Sequence, residues 1–141
     1  TGSEDCLYLS VITPTLDVRN PRPVMVWIHG GYLQWGNASI HSYSPNDKLT
    51  RDSNVVHVSI QYRVAAFGFL VLDVLPGNGN YGILDQVEAL RWVRQNIANF
   101  GGNPEKVTIW GQSSGGTSVW ALMMTPQAKG LFHRAWSLSG S

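Results

Sequence analysis

The segment that most restricts what this chain can become is Val107-Thr108-Ile109-Trp110-Gly111-Gln112-Ser113-Ser114-Gly115-Gly116. An apolar run of strand length enters Gly-x-Ser-x-Gly, and a helical pattern leaves it from Ser114 to Met124, ending before Pro126. A strand that passes straight into a helix needs a sharp turn. Glycines at 111 and 115 permit that turn and let the helix lie close on the strand. The residue at the turn, Ser113, is then pushed out at the end of a sheet. A serine hydroxyl is a weak nucleophile until a base takes its proton. A fixed, exposed Ser113 Oγ is therefore where chemistry would start. The backbone N–H of Ser114, at a helix N-terminus, is placed to stabilise a forming oxyanion.

The rest of the chain fits around that junction. Leu7 to Thr13, Val24 to Ile28, Val55 to Ile60 and Ala135 to Leu138 read as further strands, with Pro14, Pro21 and Pro23 punctuating the first two. Unbroken apolar runs suit strands buried on both faces of a parallel sheet. From Ile83 to Phe100, apolar residues at 83, 87, 90, 93 and 97 follow the helical period, and Gly101-Gly102 supplies a stop. Strands alternating with helices imply βαβ units with right-handed crossovers. The chain reads as one continuous piece of one α/β domain, residues 1–141, without repeats or linkers.

Composition narrows the function. At 141 residues the chain is long enough to bury a core. A net charge of +1 leaves no basic stripe for nucleic acid and no charged tail. Charged residues make up 13%, against a usual ~25%, so much of the surface is expected to be covered by something else. No apolar run reaches the ~20 residues of a membrane helix. No Cys/His cluster has metal spacing and no glycine loop has a phosphate-binding pattern, so no metal or cofactor is expected. Thr1 and Ser141 read as cuts within a longer chain. The single cysteine, Cys6, is either a buried free thiol or half of a disulfide whose partner lies outside the chain.

Taken together, several ordered motifs resemble the type-B carboxylesterase/cholinesterase family. They are Glu4-Asp5-Cys6-Leu7-Tyr8-Leu9, Val26-Trp27-Ile28-His29-Gly30-Gly31, Tyr62-Arg63-Val64-Ala65-Ala66-Phe67-Gly68-Phe69-Leu70, Gly79-Asn80-Tyr81-Gly82-Ile83-Leu84-Asp85-Gln86 and Phe100-Gly101-Gly102-Asn103-Pro104. In the α/β-hydrolases, Gly-x-Ser-x-Gly is the nucleophile elbow, and a His-Gly-Gly-type segment after a strand supplies further oxyanion donors. The resemblance implies an α/β-hydrolase fold, incomplete here, with the N-terminal and central part of a mostly parallel sheet and its flanking helices. It implies hydrolysis of a small-molecule carboxylic ester through an acyl-enzyme on Ser113, without a cofactor. The oxyanion hole would use the N–H groups of Gly31, Tyr32 and Ser114. The triad acid and histidine would lie beyond Ser141, leaving the 141 residues alone inactive. Cys6 would pair with a cysteine upstream of Thr1, and Arg63 with Asp85 would form a buried structural ion pair. A secreted or ER-lumen location follows from the same resemblance, and Asn37-Ala38-Ser39 is a glycosylation sequon that is either used or a bare polar loop.

Three positions depart from the family pattern. Tyr32 stands where active members usually carry glycine, so any left-handed backbone there would be strained. Losing one oxyanion donor costs about 10²–10³ in rate. Gln112 replaces a common glutamate beside the serine, which favours neutral or hydrophobic esters over choline esters. Ser114 replaces alanine, expected to be a mild change because the backbone supplies the donor. None of the four histidines reads as the base: His29 shapes the oxyanion loop, His57 is a packed strand residue, His41 sits in a loop and His133 near the surface. The alternative function is a non-catalytic, neuroligin-like adhesion protein, which Tyr32 favours and the intact Ser113 opposes. A lipase or thioesterase of the same fold fits the Cys6 and Arg63 motifs less well.

Overall fold

A computed structural model describes residues 2–39, 44–74 and 78–140. Five strands, β1 (Leu9–Ile12), β2 (Arg22–Ile28), β3 (Val56–Ile60), β4 (Gly102–Gln112) and β5 (Arg134–Leu138), form one sheet in the order β1-β3-β2-β4-β5. Strands β3, β2, β4 and β5 run parallel, and β1 pairs antiparallel with β3 at the edge. Among the described residues four α-helices connect them: α1 (Asp47–Ser53), α2 (Ala65–Phe69), α3 (Tyr81–Asn96) and α4 (Ser114–Met124). This is the mostly parallel sheet with flanking helices that the sequence implies.

Each expected strand is present, with shifted ends. β2 begins at Arg22, two residues early, and its register on β4 slips between Arg22 and Val24. Pro23 sits at that irregularity, where a missing N–H costs the ladder nothing. β4 begins at Gly102 rather than Val107, because Gly102 already pairs with Arg22. The expected helix over 83–100 is α3 from Tyr81 to Asn96, tightening to a 3-10 turn over Ile97–Phe100 and stopping at Gly101 (φ 73°). α4 has the expected limits. α1 and α2 were not expected. α1 starts where the Asn46 side chain accepts the Leu49 N–H, an ordinary cap.

The strands alternate their side chains between two faces. On one face, Val24, Val26 and Ile28 of β2, Val56, Val58 and Ile60 of β3, and Val107 and Ile109 of β4 pack under Val87, Leu90, Val93 and Ile97 and under Val119 and Leu122 of α4. All of these are essentially inaccessible, and burying such a side chain is worth about 1.5–3 kcal/mol. On the other face, Trp27, Trp110 and Trp136 stand side by side in register across β2, β4 and β5. Their rings are 4.4 and 5.8 Å apart, centroid to centroid. Trp27 is buried, whereas Trp136 at the β5 edge is half exposed. The low charge content thus shows as exposed apolar side chains, among them Trp120, Met124 and Phe67.

Arg63, just after β3, meets Asp85 on α3. The guanidinium donates through Nε to Oδ2 at 2.8 Å and through a terminal nitrogen to Oδ1 at 2.7 Å, and the Arg63 backbone N–H donates to Oδ2 at 3.0 Å. The pair is less buried than the resemblance implies: the Asp85 side chain is 7% exposed but that of Arg63 is 39%. The Asp85 carboxylate raises the guanidinium pKa further, and Arg63 also lies over the Tyr81 ring, 5.4 Å from its centroid. The asymmetry sets an expected order. Arg63→Ala strands a buried carboxylate and should cost about 3 kcal/mol; Asp85→Ala frees a cation that can rehydrate and should cost about 1–2 kcal/mol. Urea midpoints of the full-length protein check this, and equal losses would contradict it.

Candidate active site

Parallel pairing of β2 with β4 brings their C-terminal ends together, with Ile28 opposite Gly111. The two expected functional segments leave from these ends: His29-Gly30-Gly31-Tyr32 from β2 and Gln112-Ser113-Ser114 from β4. Ser113 caps α4 with φ 56° and ψ −129°, a strained backbone for a residue with a side chain. Such strain costs about 1–3 kcal/mol and persists only where the surroundings hold it. Here its N–H donates to the Leu138 carbonyl of β5 at 2.8 Å, and its own carbonyl accepts from Thr117 of α4 at 3.1 Å. Gly115 is demanded by close approach: a Cβ there would lie 2.1 Å from the Ile28 carbonyl oxygen, and one at Gly111 would lie 2.4 Å from the Gly115 oxygen.

The oxyanion segment makes a tight turn. Gly31 has φ 123°, and a Cβ there would lie 2.0 Å from the Trp35 carbonyl oxygen. Its carbonyl accepts from the N–H groups of Gln34 (2.9 Å) and Trp35 (3.1 Å). Tyr32 and Leu33 follow with φ 57° and 60°, both left-handed. Tyr32 thus takes a left-handed backbone that strains a residue with a side chain, and it is 77% exposed. The Leu33 N–H donates to the Ser114 Oγ at 3.2 Å, a contact across 81 residues with no local sequence signal. A Cβ added at Gly30 would lie 3.2 Å from the Ser113 Cβ, so the two segments are in contact.

Beneath the turn lies a buried polar chain that sequence reasoning also missed. Gln86 of α3 donates from Nε2 to the Ser118 Oγ of α4 at 3.1 Å. Ser118 hydrogen-bonds the Tyr62 hydroxyl, which donates to the His29 carbonyl at 2.7 Å. Burial raises the Tyr62 pKa, so the phenol stays protonated and remains a donor. The His29 ring stacks on Tyr62 at 4.4 Å, and its Nδ1 lies 2.9 Å from the Gly30 carbonyl. Burial lowers the pKa of His29, and likewise that of His57, keeping both neutral.

The other histidines are engaged away from Ser113. His57 lies within β3, with Nε2 3.5 Å from Ser53 Oγ. His133 accepts the Val107 N–H on Nδ1 at 3.2 Å and points Nε2 towards Glu105. His41 lies outside the described residues. A cavity of about 140 Å³ sits behind the turn, walled by Trp27, His29, Gly31, Trp35, Asn37 and Gln112, among others. Asn37 is exposed, and its Oδ1 accepts the Ser39 N–H at 2.8 Å. Cys6 is half-buried, less covered than the fully buried thiol of the first alternative, and has no second cysteine in these 141 residues to pair with. Among the described residues no cluster of His, Cys, Asp and Glu could hold a metal, and no helix is long and apolar enough to cross a membrane.

This arrangement puts a hydroxyl on a rigid elbow opposite a turn of backbone N–H groups, a geometry suited to attack on a carbonyl. The carboxylesterase family model matches residues 1–141. The chain is 56% identical over 139 residues to carboxylesterase 1D of Rattus norvegicus and 54% identical over 139 residues to cocaine esterase of Homo sapiens. Each match covers 98% of this chain and 24% of the relative, so the chain spans about a quarter of the length of these curated relatives. A solved structure of a thermophilic PNB esterase superimposes with a TM-score of 0.91 at 45% identity, covering 99% of this chain and 29% of that one.

Two outcomes are expected. Tyr32→Gly relieves a left-handed side chain with little packing to lose and should stabilise the full-length protein by about 0.5–1 kcal/mol; a loss in urea midpoint would contradict this. Folded His29 and His57 refuse protons that their unfolded forms accept near pH ~6.5. Stability is therefore full above that pH and falls as the pH drops below it. His57→Gln should flatten the fall; an unchanged slope between pH 7.5 and 5 would show that His57 is not part of it.

Proposed function

From the premise that the chain belongs to the carboxylesterase family, we propose that the protein carrying it hydrolyses carboxylic esters through an acyl-enzyme on Ser113. The observation that carries the reading is the strained Ser113 elbow held against the Gly30–Gly31 turn. In the forward step, Ser113 Oγ attacks the ester carbonyl and gives its proton to a base. The carbonyl oxygen becomes an oxyanion facing the N–H groups of Gly31, Tyr32 and Ser114. Collapse expels the alcohol, which takes that proton, and leaves an acyl group on Ser113. Water then repeats the attack with the same base, releasing the acid and restoring the serine.

We place the base and its orienting acid outside these 141 residues, as the family resemblance implies; His29, His57 and His133, the histidines among the described residues, are each engaged elsewhere. The residues form one part of a larger carboxylesterase domain. Neutral or hydrophobic esters suit the site, because Gln112 contributes no charge to a wall that combines Trp27, Trp35 and glycine backbone with the polar side chains of His29, Asn37 and Ser44 and holds no Asp, Glu, Lys or Arg. Tyr32 still offers its N–H, and its exposed ring leaves the elbow open. A secretory or ER-lumen location goes with Cys6 as half of a disulfide to a cysteine elsewhere in the protein. The adhesion-type alternative rests on Tyr32 alone, and the preserved elbow favours the enzyme.

In the full-length protein, Ser113→Ala should lower ester turnover by more than about a thousandfold and abolish labelling by a fluorophosphonate probe. Absence of labelling at Ser113 in folded, unaltered protein would sink the esterase reading. Ser113-dependent turnover by residues 1–141 alone would overturn the assignment of base and acid to other sequence.

A further inference from the structure

Leu33 is held at both of its backbone polar groups. Its N–H donates to the Ser114 Oγ at 3.2 Å, and its carbonyl accepts the Ala65 N–H at 2.6 Å. Leu33 and its neighbour Tyr32 are consecutive left-handed residues with side chains, a conformation that chains avoid unless something holds it. Tyr32, 77% exposed, has no packed side chain to hold it. Ser114 is the first residue of α4, and its backbone N–H is one of the proposed oxyanion donors. From these contacts we propose that the Ser114 hydroxyl is a positioning group, clamping the oxyanion turn to the elbow so that the N–H groups of Gly31 and Tyr32 face Ser113. The proposal rests on the esterase reading and deepens it.

The clamp gives the substitution at 114 a purpose. Alanine there would leave the Leu33 N–H without its acceptor, and the turn would be free to relax out of its left-handed pair. Glycine at position 32 would tolerate that conformation unaided. The two departures from the family pattern at the oxyanion site, Tyr32 and Ser114, are joined through Leu33. The hydroxyl is engaged by the Leu33 N–H, so its removal should act on the alignment of donors in the transition state rather than on substrate binding.

The test uses the full-length protein and three readouts: amide hydrogen exchange over residues 32–35, the kcat and KM for a neutral ester, and thermal midpoint. Ser114→Ala should speed exchange at Leu33 and lower kcat by about tenfold while KM stays within about twofold and the midpoint hardly moves. Ser114→Thr, which restores a hydroxyl, should recover both slow exchange and kcat. In a Tyr32→Gly background the kcat loss from Ser114→Ala should shrink to less than about threefold. Unchanged exchange at Leu33 in Ser114→Ala would overturn the clamp. Faster exchange with unchanged kcat would overturn its role in positioning. If Ser114→Ala fails to fold, Ser114→Cys, with a weaker acceptor, carries the same readouts. If the unaltered protein shows no Ser113-dependent turnover, the esterase reading fails while Leu33 exchange still decides the clamp.

Discussion

The carbonyl oxygen of Ile28, at the end of β2, lies so near the first turn of α4 that a Cβ at position 115 would come within 2.1 Å of it. Backbone against backbone at this point fixes how deeply α4 settles on the sheet. It also fixes the separation of the two chain segments that leave the ends of β2 and β4. Ser113 has room for its strained turn only because no side chain intervenes below it, and Gly30 can lie against Ser113 for the same reason. The parallel register of Ile28 with Gly111 is the sheet-level expression of that contact.

Strain gathers around this junction. Ser113, Tyr32, Leu33 and Ala65 all have positive φ, and all lie in or touch the same set of loops. Each such residue carries a cost, and three of the four are held by hydrogen bonds: Ser113 to β5, Leu33 to Ser114, and Ala65 to the Leu33 carbonyl. Below them the chain from Gln86 through Ser118 and Tyr62 to the His29 carbonyl ties the turn to α3 and α4. A buried polar chain of this kind is costly unless its groups are paired; each link here is a hydrogen bond, and among the described residues only the Gln86 Oε1 at its inner end is left without a partner. Site geometry therefore depends on helices whose other faces are ordinary apolar core.

Much of this was legible in the sequence where a residue's role is local. The apolar runs located β2, β3 and β4, and residues 87, 90, 93 and 97 named the buried stripe of α3 and the turn after it. The limits of α4 followed from the glycines before it and Pro126 after it. Short helices were harder. α1 had a readable cap in Asn46-Asp47 but only seven residues, and α2, with five, owes its existence to the packing of Gly68 on the Arg63 backbone. What pattern could not supply was pairing at a distance. Ser114 reads as a mild replacement until its hydroxyl is seen opposite Leu33, and Gln86 and Ser118 read as polar interruptions until they meet under Tyr62. Half-exposed Arg63 shows the same limit, because a motif names partners and not how deeply they are buried.

The central claim is that Ser113 and the turn at Gly31 and Tyr32 act on one carbonyl. A crystal structure of the full-length protein after reaction with a fluorophosphonate tests it most directly, because the phosphonyl oxygen stands where the oxyanion would form. The account predicts phosphorus bonded to Ser113 Oγ and that oxygen about 2.7–3.1 Å from the N–H groups of Gly31, Tyr32 and Ser114. An adduct on Ser113 whose oxygen turns away from those groups, or a Ser113 left unmodified, would contradict it.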